Sequence, residues 1–236
     1  MDYEGGTDKK LKIKNDNMED QAFRQFLIDV YKAADHVMKP GAPFYIWHAD
    51  SEGANFRGAA KDMGWQIREC LIWVKNSLVL GRQDYQWRHE PCLYGWKAGA
   101  AHYFTDSRAE STVIEDRVNV DKLSKDELKT LCKKLLDPGI ETTIIREKKP
   151  SINDVHPTMK PVKLFGRLVK NSSKRNDIVL DLFGGSGTTI VACEQLNRRA
   201  YLMELDPAYV DVIIDRYQKL TNVEVMRSDG KLWNEL

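Results

Sequence analysis

An acid, three glycines and three hydroxyl side chains stand together in Asp181-Leu-Phe-Gly184-Gly185-Ser186-Gly187-Thr188-Thr189, where an apolar run ends and a helical pattern begins. Glycines let a backbone come close to a ligand, and a helix N-terminus offers free N–H groups to an anionic portion such as a carboxylate or pyrophosphate. A nucleotide-like ligand fits such a loop, and a purely structural turn remains the alternative. Seventeen residues after Gly187, Glu204 closes the next strand-like run, where a carboxylate can accept from ribose hydroxyls. The G-x-G-x-x-G fingerprint of dinucleotide folds is incomplete, because Thr188, Thr189 and Ile190 follow Gly187. An NAD-dependent oxidoreductase is therefore the weaker rival.

A second set of residues precedes this loop by some twenty positions: His156-Pro157-Thr158-Met159-Lys160-Pro161, followed by Val162, Leu164, Phe165, Leu168 and Val169 at helical spacing. Each proline holds its predecessor extended, and Pro161 suits the first turn of the helix that follows. Taken alone, these residues also read as a surface loop with a helix cap. Residues 141 to 175 hold nine Lys/Arg and three acids, a local net of +6 in a chain whose overall charge is only +1. Such a patch can neutralise backbone phosphates, with binding that weakens steeply in salt, although a solvated helix face explains part of it. Five of the six tryptophans fall between Trp47 and Trp96, and Tyr85, Trp87, Tyr94 and Trp96 are able to stack on an unpaired base or to pack in a core.

The elements that must position these groups follow from periodicity. Asn17 reads as the cap of a helix over 18–37, with Phe23, Phe26, Leu27, Val30 and Ala34 on one face. Residues 43–47 form a short apolar strand with His48 and Asp50 at its carboxyl end, near the crevice where ligands bind in α/β sheets. A helix over 51–63 and a strand over 66–75 then resemble a βαβ unit, which predicts a parallel sheet. A further strand fits 91–96. From 105 to 150 the chain turns charged and polar around one helix, whose start carries a capping box, Ser124 with Glu127. Strands over 178–183 and 199–205, with helices over 188–196 and 207–220, make a second βαβ unit. At 42% hydrophobic and 30% charged residues the chain reads as a folded domain. No run of eighteen apolar residues or secretion-type leader is present, which points to an intracellular protein. The cysteines, Cys70, Cys92, Cys132 and Cys193, form no CxxC pair and read as free thiols; no metal site is expected.

These motifs resemble the DNA amino-methyltransferases, which move a methyl group from S-adenosylmethionine to the exocyclic amine of adenine (N6) or cytosine (N4). HPTMKP resembles the motif that flanks the cofactor, DLFGGSGTT the glycine-rich cofactor loop, and YLMELDPAYVDVIIDRY the next strand with its ribose-binding acid. The resemblance covers nearly the whole chain. FYIWHADSEG and LGRQDYQWRHEPCLYGWK are similar to the phage-associated branch, and the order of motifs is that of the beta-type permutation. It implies an α/β fold: a Rossmann-like methyltransferase sheet with helices on both faces, in permuted order, plus a small target-recognition insert. The implied domains are a catalytic-side half over 1–104, the insert over 105–150 and an S-adenosylmethionine-binding half over 151–236. Cofactor contacts are expected at Thr158, Lys160, Pro161, Asp181, Phe183, Gly184, Gly185, Ser186, Gly187, Thr188 and Glu204. The base pocket is expected at His48, Asp50, Tyr94 and Trp96, and backbone contacts to double-stranded DNA at Arg146, Lys148 and Lys149.

The family's catalytic tetrapeptide, Asp/Asn/Ser-Pro-Pro-Tyr/Phe/Trp, does not occur in these 236 residues. By resemblance, Asp2-Tyr3-Glu4-Gly5 would follow it closely, so the chain is expected to start just after the catalytic loop. Asp206-Pro-Ala-Tyr209 is a poor substitute, because it follows the ribose-binding strand and starts a helix. The expectation is a chain that binds cofactor better than it catalyses, unless its start is restored or a companion segment supplies it. Homodimerisation is the other partnership considered. A non-catalytic remnant or one half of a split enzyme is the alternative reading. Adenine is favoured over cytosine on the phage-branch resemblance.

Overall fold

A computed structural model describes residues 18–79, 84–106, 110–114, 124–126, 128–129 and 160–233. Helix α1, Asp20–Val37, buries Leu27 and Tyr31, one turn apart, and packs Phe23, Phe26, Val30 and Ala34 around them. The spacing read from the sequence holds, but the cap does not. The residue before the helix is Glu19, in extended backbone and without a side-chain cap bond, and Asn17 lies outside the described residues. A stack of aromatic rings, Tyr31 on Trp65 at 5.0 Å and Trp65 on Phe44 at 4.8 Å, ties α1 to strand β1, Pro43–Trp47. Helix α2, Gly53–Asp62, follows one short 3-10 turn, Asp50–Glu52.

Strands β2, Gln66–Val79, and β3, Trp87–Trp96, form an antiparallel pair, and β3 also runs antiparallel beside β1. With β4, Val113–Ile114, parallel to β2, the sheet order is β1-β3-β2-β4. This corrects the simple parallel βαβ unit expected for residues 43–75: β1 and β2 share a direction but are separated by β3. Two physical reasons account for it. A short connection can return an antiparallel strand, whereas a parallel neighbour needs a long crossover. Residues 91–95 of β3 are also buried one after another, which suits the middle of a sheet rather than its edge.

The second unit is as expected. Strand β5, Ile178–Asp181, pairs in parallel with β6, Arg199–Leu202, and helix α4, Thr188–Gln195, crosses between them. Helix α3, Val162–Ser172, packs on α4, and helix α5, Pro207–Thr221, completes this half. Among the described residues, only one face of the β5–β6 pair is covered. Ile178, Leu180, Tyr201 and Met203 alternate along the other and are 39 to 61% exposed. Among the described residues, β1 and β5 each have one neighbouring strand and one unpaired edge. The two halves thus describe a mixed sheet in two pieces, flanked by helices.

Trp73 on β2 is 1% exposed and joins Leu71, Cys92 and Tyr94 of the sheet to Leu164 and Leu168 of α3. Its truncation would leave a large cavity. Trp73→Ala is expected to lower the unfolding free energy by about 3–5 kcal/mol and the melting midpoint by roughly 10 °C. Calorimetry checks this, and an unchanged midpoint would contradict a core built around Trp73.

Among the described residues, no helix is long and apolar enough to cross a membrane, and no three His, Cys, Asp or Glu side chains are grouped to hold a metal. Cys92 and Cys193 are buried free thiols and Cys70 is a half-buried one; Cys132 lies outside the described residues. Of the expected capping box, Ser124 accepts from the Leu128 N–H at 2.9 Å through its carbonyl, while Glu127 is outside the described residues.

Candidate cofactor site

The site is built where β5 hands over to α4. Asp181, the last residue of β5, accepts from the Phe183 N–H at 3.0 Å and from the Thr189 hydroxyl at 2.5 Å, so one carboxylate ties the start of the loop to the first turn of the helix. Burial pushes the Asp181 carboxyl above its ordinary range, with Glu204 adding to the rise and the Thr189 and Phe183 hydrogen bonds and the Lys160 charge opposing it. The Gly184 N–H donates to the Met203 carbonyl at 2.8 Å, and the Gly187 N–H closes a turn onto the Gly184 carbonyl at 2.8 Å.

Gly187 adopts φ +76°, in the left-handed region, and a Cβ there would meet two carbons of Ile213 at 3.2 Å. The tight turn and the close packing of α5 both require glycine at this position. Glu204 lies just past β6 and uses both carboxylate oxygens locally: Oε2 accepts from the Gly185 N–H at 2.7 Å and Oε1 from the Asp206 N–H at 2.9 Å. A carboxylate has room for about four hydrogen bonds, so acceptor capacity is left over. Asp206 in turn caps α5, accepting from the Ala208 N–H at 3.1 Å with Pro207 in the first turn. Asp206 to Tyr209 is thus a helix start in structure, as its sequence context indicated.

Ser186, Thr188 and Thr189 are buried, and Phe183 projects with 60% of its surface exposed beside Phe26 of α1. Pro161, the residue before α3, is buried with extended backbone, and the Thr188 hydroxyl donates to the Lys160 carbonyl at 3.2 Å. The tail of the HPTMKP motif and the glycine loop are therefore in direct contact. Thr158, and Arg146, Lys148 and Lys149 of the expected DNA contacts, lie outside the described residues.

The Lys160 ammonium reaches across to the other half of the chain. It lies 3.2 Å from Glu90 Oε2 on β3 and 5.7 Å from the centre of the Trp47 ring on β1. Lys75 of β2 holds the second oxygen of Glu90 at 2.6 Å. Burial works against the ionised form of Glu90, but the two ammonium groups more than offset it and hold its carboxyl below the usual range. Sequence reasoning did not single out Glu90 or Lys75. The available signal was that Glu90 is the one acid in the strand Trp87–Trp96. Arg216, whose guanidinium donates to the Ser186 carbonyl from α5, was missed as well.

The four residues expected around a base are not brought together. His48 is 8% exposed at the carboxyl end of β1; its Nδ1 lies 2.8 Å from the Ala49 carbonyl and its ring stacks on Phe56. Asp50 is exposed at the start of the 3-10 turn. Tyr94 is buried in mid-sheet against Tyr45, and Trp96 pairs in register with Pro43, at the opposite end of β1 from His48. There the Trp96 ring lies between His102, stacked at 3.7 Å, and the Arg68 guanidinium at 4.8 Å. The antiparallel direction of β3 is the reason: it carries Trp87, His89 and Glu90 toward the carboxyl end of β1 and Trp96 away from it.

Comparison with known proteins agrees with this architecture. The family model for N6/N4 DNA methylases matches residues 3–215. The Type II methyltransferase M.BglII of Bacillus subtilis is 26% identical over 214 residues, covering 85% of this chain and 58% of its own length. The Type II methyltransferase M.HpaI of Haemophilus parainfluenzae is 24% identical over 207 residues, 86% of this chain and 62% of its own. The chain thus spans about three fifths of the length of these curated relatives. In fold it is similar to the M1.HpyAVI–SAM complex, at a TM-score of 0.60 and 21% identity over 82% of this chain and 83% of that one. The chain belongs to the N6/N4 DNA methylase family.

Proposed function

We propose that this chain is the cofactor-holding body of a DNA methyltransferase, which binds S-adenosylmethionine and serves methyl transfer to the exocyclic amine of a flipped base, adenine N6 in preference to cytosine N4. The observation that carries the reading is the loop at the end of β5, where Glu204 receives the Gly185 N–H and Lys160 receives Thr188. Its polar groups suit each portion of such a ligand. The N-terminus of α4, supported by the Lys160 carbonyl beneath Thr188, favours the carboxylate, the spare acceptor capacity of Glu204 favours the ribose hydroxyls, and exposed Phe183 offers a face to the adenine ring. When bound, the cofactor supplies an electrophilic methyl group on a sulfonium. M1.HpyAVI, similar in fold, forms a complex with SAM, which supports the same choice of ligand.

The domain boundaries near 104 and 150 belong to this reading, as do Arg146, Lys148 and Lys149 on the DNA backbone and a base site near His48 and Asp50. Tyr94 and Trp96 are supported less by their placement than by the family resemblance. Methyl transfer further calls for a strand ending in Asp-Pro-Pro-Tyr, which the sequence lacks. The unpaired edges of β1 and β5 and the bare face of β5–β6 favour a sheet completed by another segment, in the same polypeptide or a companion.

Calorimetric titration separates this reading from its rival. S-adenosylmethionine is expected to bind and NAD not to, and the reverse preference would establish an oxidoreductase-type site. Binding to double-stranded DNA is expected to fall steeply between low and physiological salt.

A further inference from the structure

Glu90 is the one acidic side chain of β3, directly before its buried run 91–95, and it is shared by two ammonium groups from different elements. Lys75 reaches it along β2 and Lys160 from the segment entering α3. All three side chains are at most one quarter exposed, so the attraction is screened far less than that of a surface pair. The Lys160 backbone accepts from Thr188 at the first turn of α4, and half-buried Asp181 holds the loop from the other side through Phe183 and Thr189. Lys75 and Lys160 thus hold different oxygens of one carboxylate, and Lys160 also meets the glycine loop at Thr188.

We infer that Glu90 is a positioning residue for the cofactor loop: by fixing the Lys160 ammonium it sets the carbonyl on which Thr188 rests, and so links the β1–β3 sheet to the site at β5. The inference rests on the cofactor reading given above for what the loop binds, but the link itself is a property of the free protein. Glu90 touches neither cofactor nor base. Its removal leaves Lys160 without its carboxylate partner, and the loop loses a fixed neighbour.

Two readouts on the full chain test this. In the free protein, amide exchange at Gly185 to Thr188 is expected to quicken by at least about tenfold in Glu90→Gln, with β1–β3 amides unchanged; a charge-assisted bond is worth that much. In titrations with S-adenosylmethionine, Glu90→Gln and Lys160→Met are each expected to weaken binding by about tenfold or more, and the double variant by little more than the larger single effect. Lys219→Met, on the far surface of α5, serves as the control. Should Glu90→Gln fail to fold, Lys160→Met carries the exchange test with Glu90 intact. A lower melting midpoint with unchanged loop exchange and affinity, or fully additive losses, would overturn the link. Failure of the parent chain to bind S-adenosylmethionine would instead sink the functional reading, while loop exchange still decides the role of Glu90.

Discussion

Joined to a segment that carries Asp-Pro-Pro-Tyr at the end of a strand, the chain is expected to transfer methyl groups at least about 100-fold faster than the 236 residues alone, the loss seen when preorganised polar contacts are removed from other enzymes. An exocyclic amine conjugated to its ring is a weak nucleophile. In the family this chain resembles, the tetrapeptide's first side chain and a proline carbonyl accept from the amine and aim its lone pair at the methyl group, while the aromatic residue stacks on the flipped base. At the β5–α4 loop the carboxylates have other tasks: Asp181 holds Phe183 and Thr189, Glu204 holds Gly185, and the remaining acceptor capacity of Glu204 is assigned to the ribose. Both proteins are expected to bind S-adenosylmethionine with similar affinity, since the loop is complete without the added segment. The check is transfer of a labelled methyl group to unmethylated DNA with the two proteins side by side. An equal rate from the short chain would mean that another group accepts from the amine, and Asp206, now engaged as the cap of α5, would have to be tested first.

Glu204→Ala is the second large effect. Two backbone N–H groups donate to this carboxylate, and each charge-assisted bond is worth about 1.5–3 kcal/mol when its partner is otherwise left unsatisfied. The variant loses the support of Gly185, the alignment of Asp206 at the start of α5, and the acceptor assigned to the ribose. S-adenosylmethionine affinity is expected to fall by roughly 100-fold or more, equivalent to about 3 kcal/mol. Glu204→Gln keeps one acceptor oxygen and should fall between parent and alanine variant. Titration calorimetry of the three proteins gives the order, and parent-like affinity in Glu204→Ala would remove Glu204 from the site. The N–H groups freed by the substitution are near solvent, so the melting midpoint should move far less than it does in Trp73→Ala.

Local features were legible because they depend on neighbours in sequence. The glycines of 184–187, the strands β5 and β6, the helices that follow each, and the acid at 204 all lie within one continuous stretch, 178–221, whose backbone geometry is set by residue type. The structure adds a contact that was not expected, the Gly185 N–H donating to Glu204. The helix α1 face was legible for the same reason. What failed was the strand order of the first sheet. Whether β2 neighbours β1 or takes β3 between them is a question of long-range pairing, and alternation of residue types is the same in both arrangements. The position of Trp96 follows from it, since an antiparallel β3 carries Trp96 to the end of β1 away from His48.

The sequence by itself determined the tight glycine turn at the end of β5 and, through its motifs, the resemblance to the family, because glycines, an acid and a helix start need only local spacing to make such a turn. Only the tertiary structure decided that Lys160 joins that turn to Glu90, seventy positions earlier on another sheet, and that β1 lies beside β3 and not β2. Ion pairs and sheet edges are made by side chains and strands that chain collapse brings together, and no spacing along the chain encodes which of them will meet.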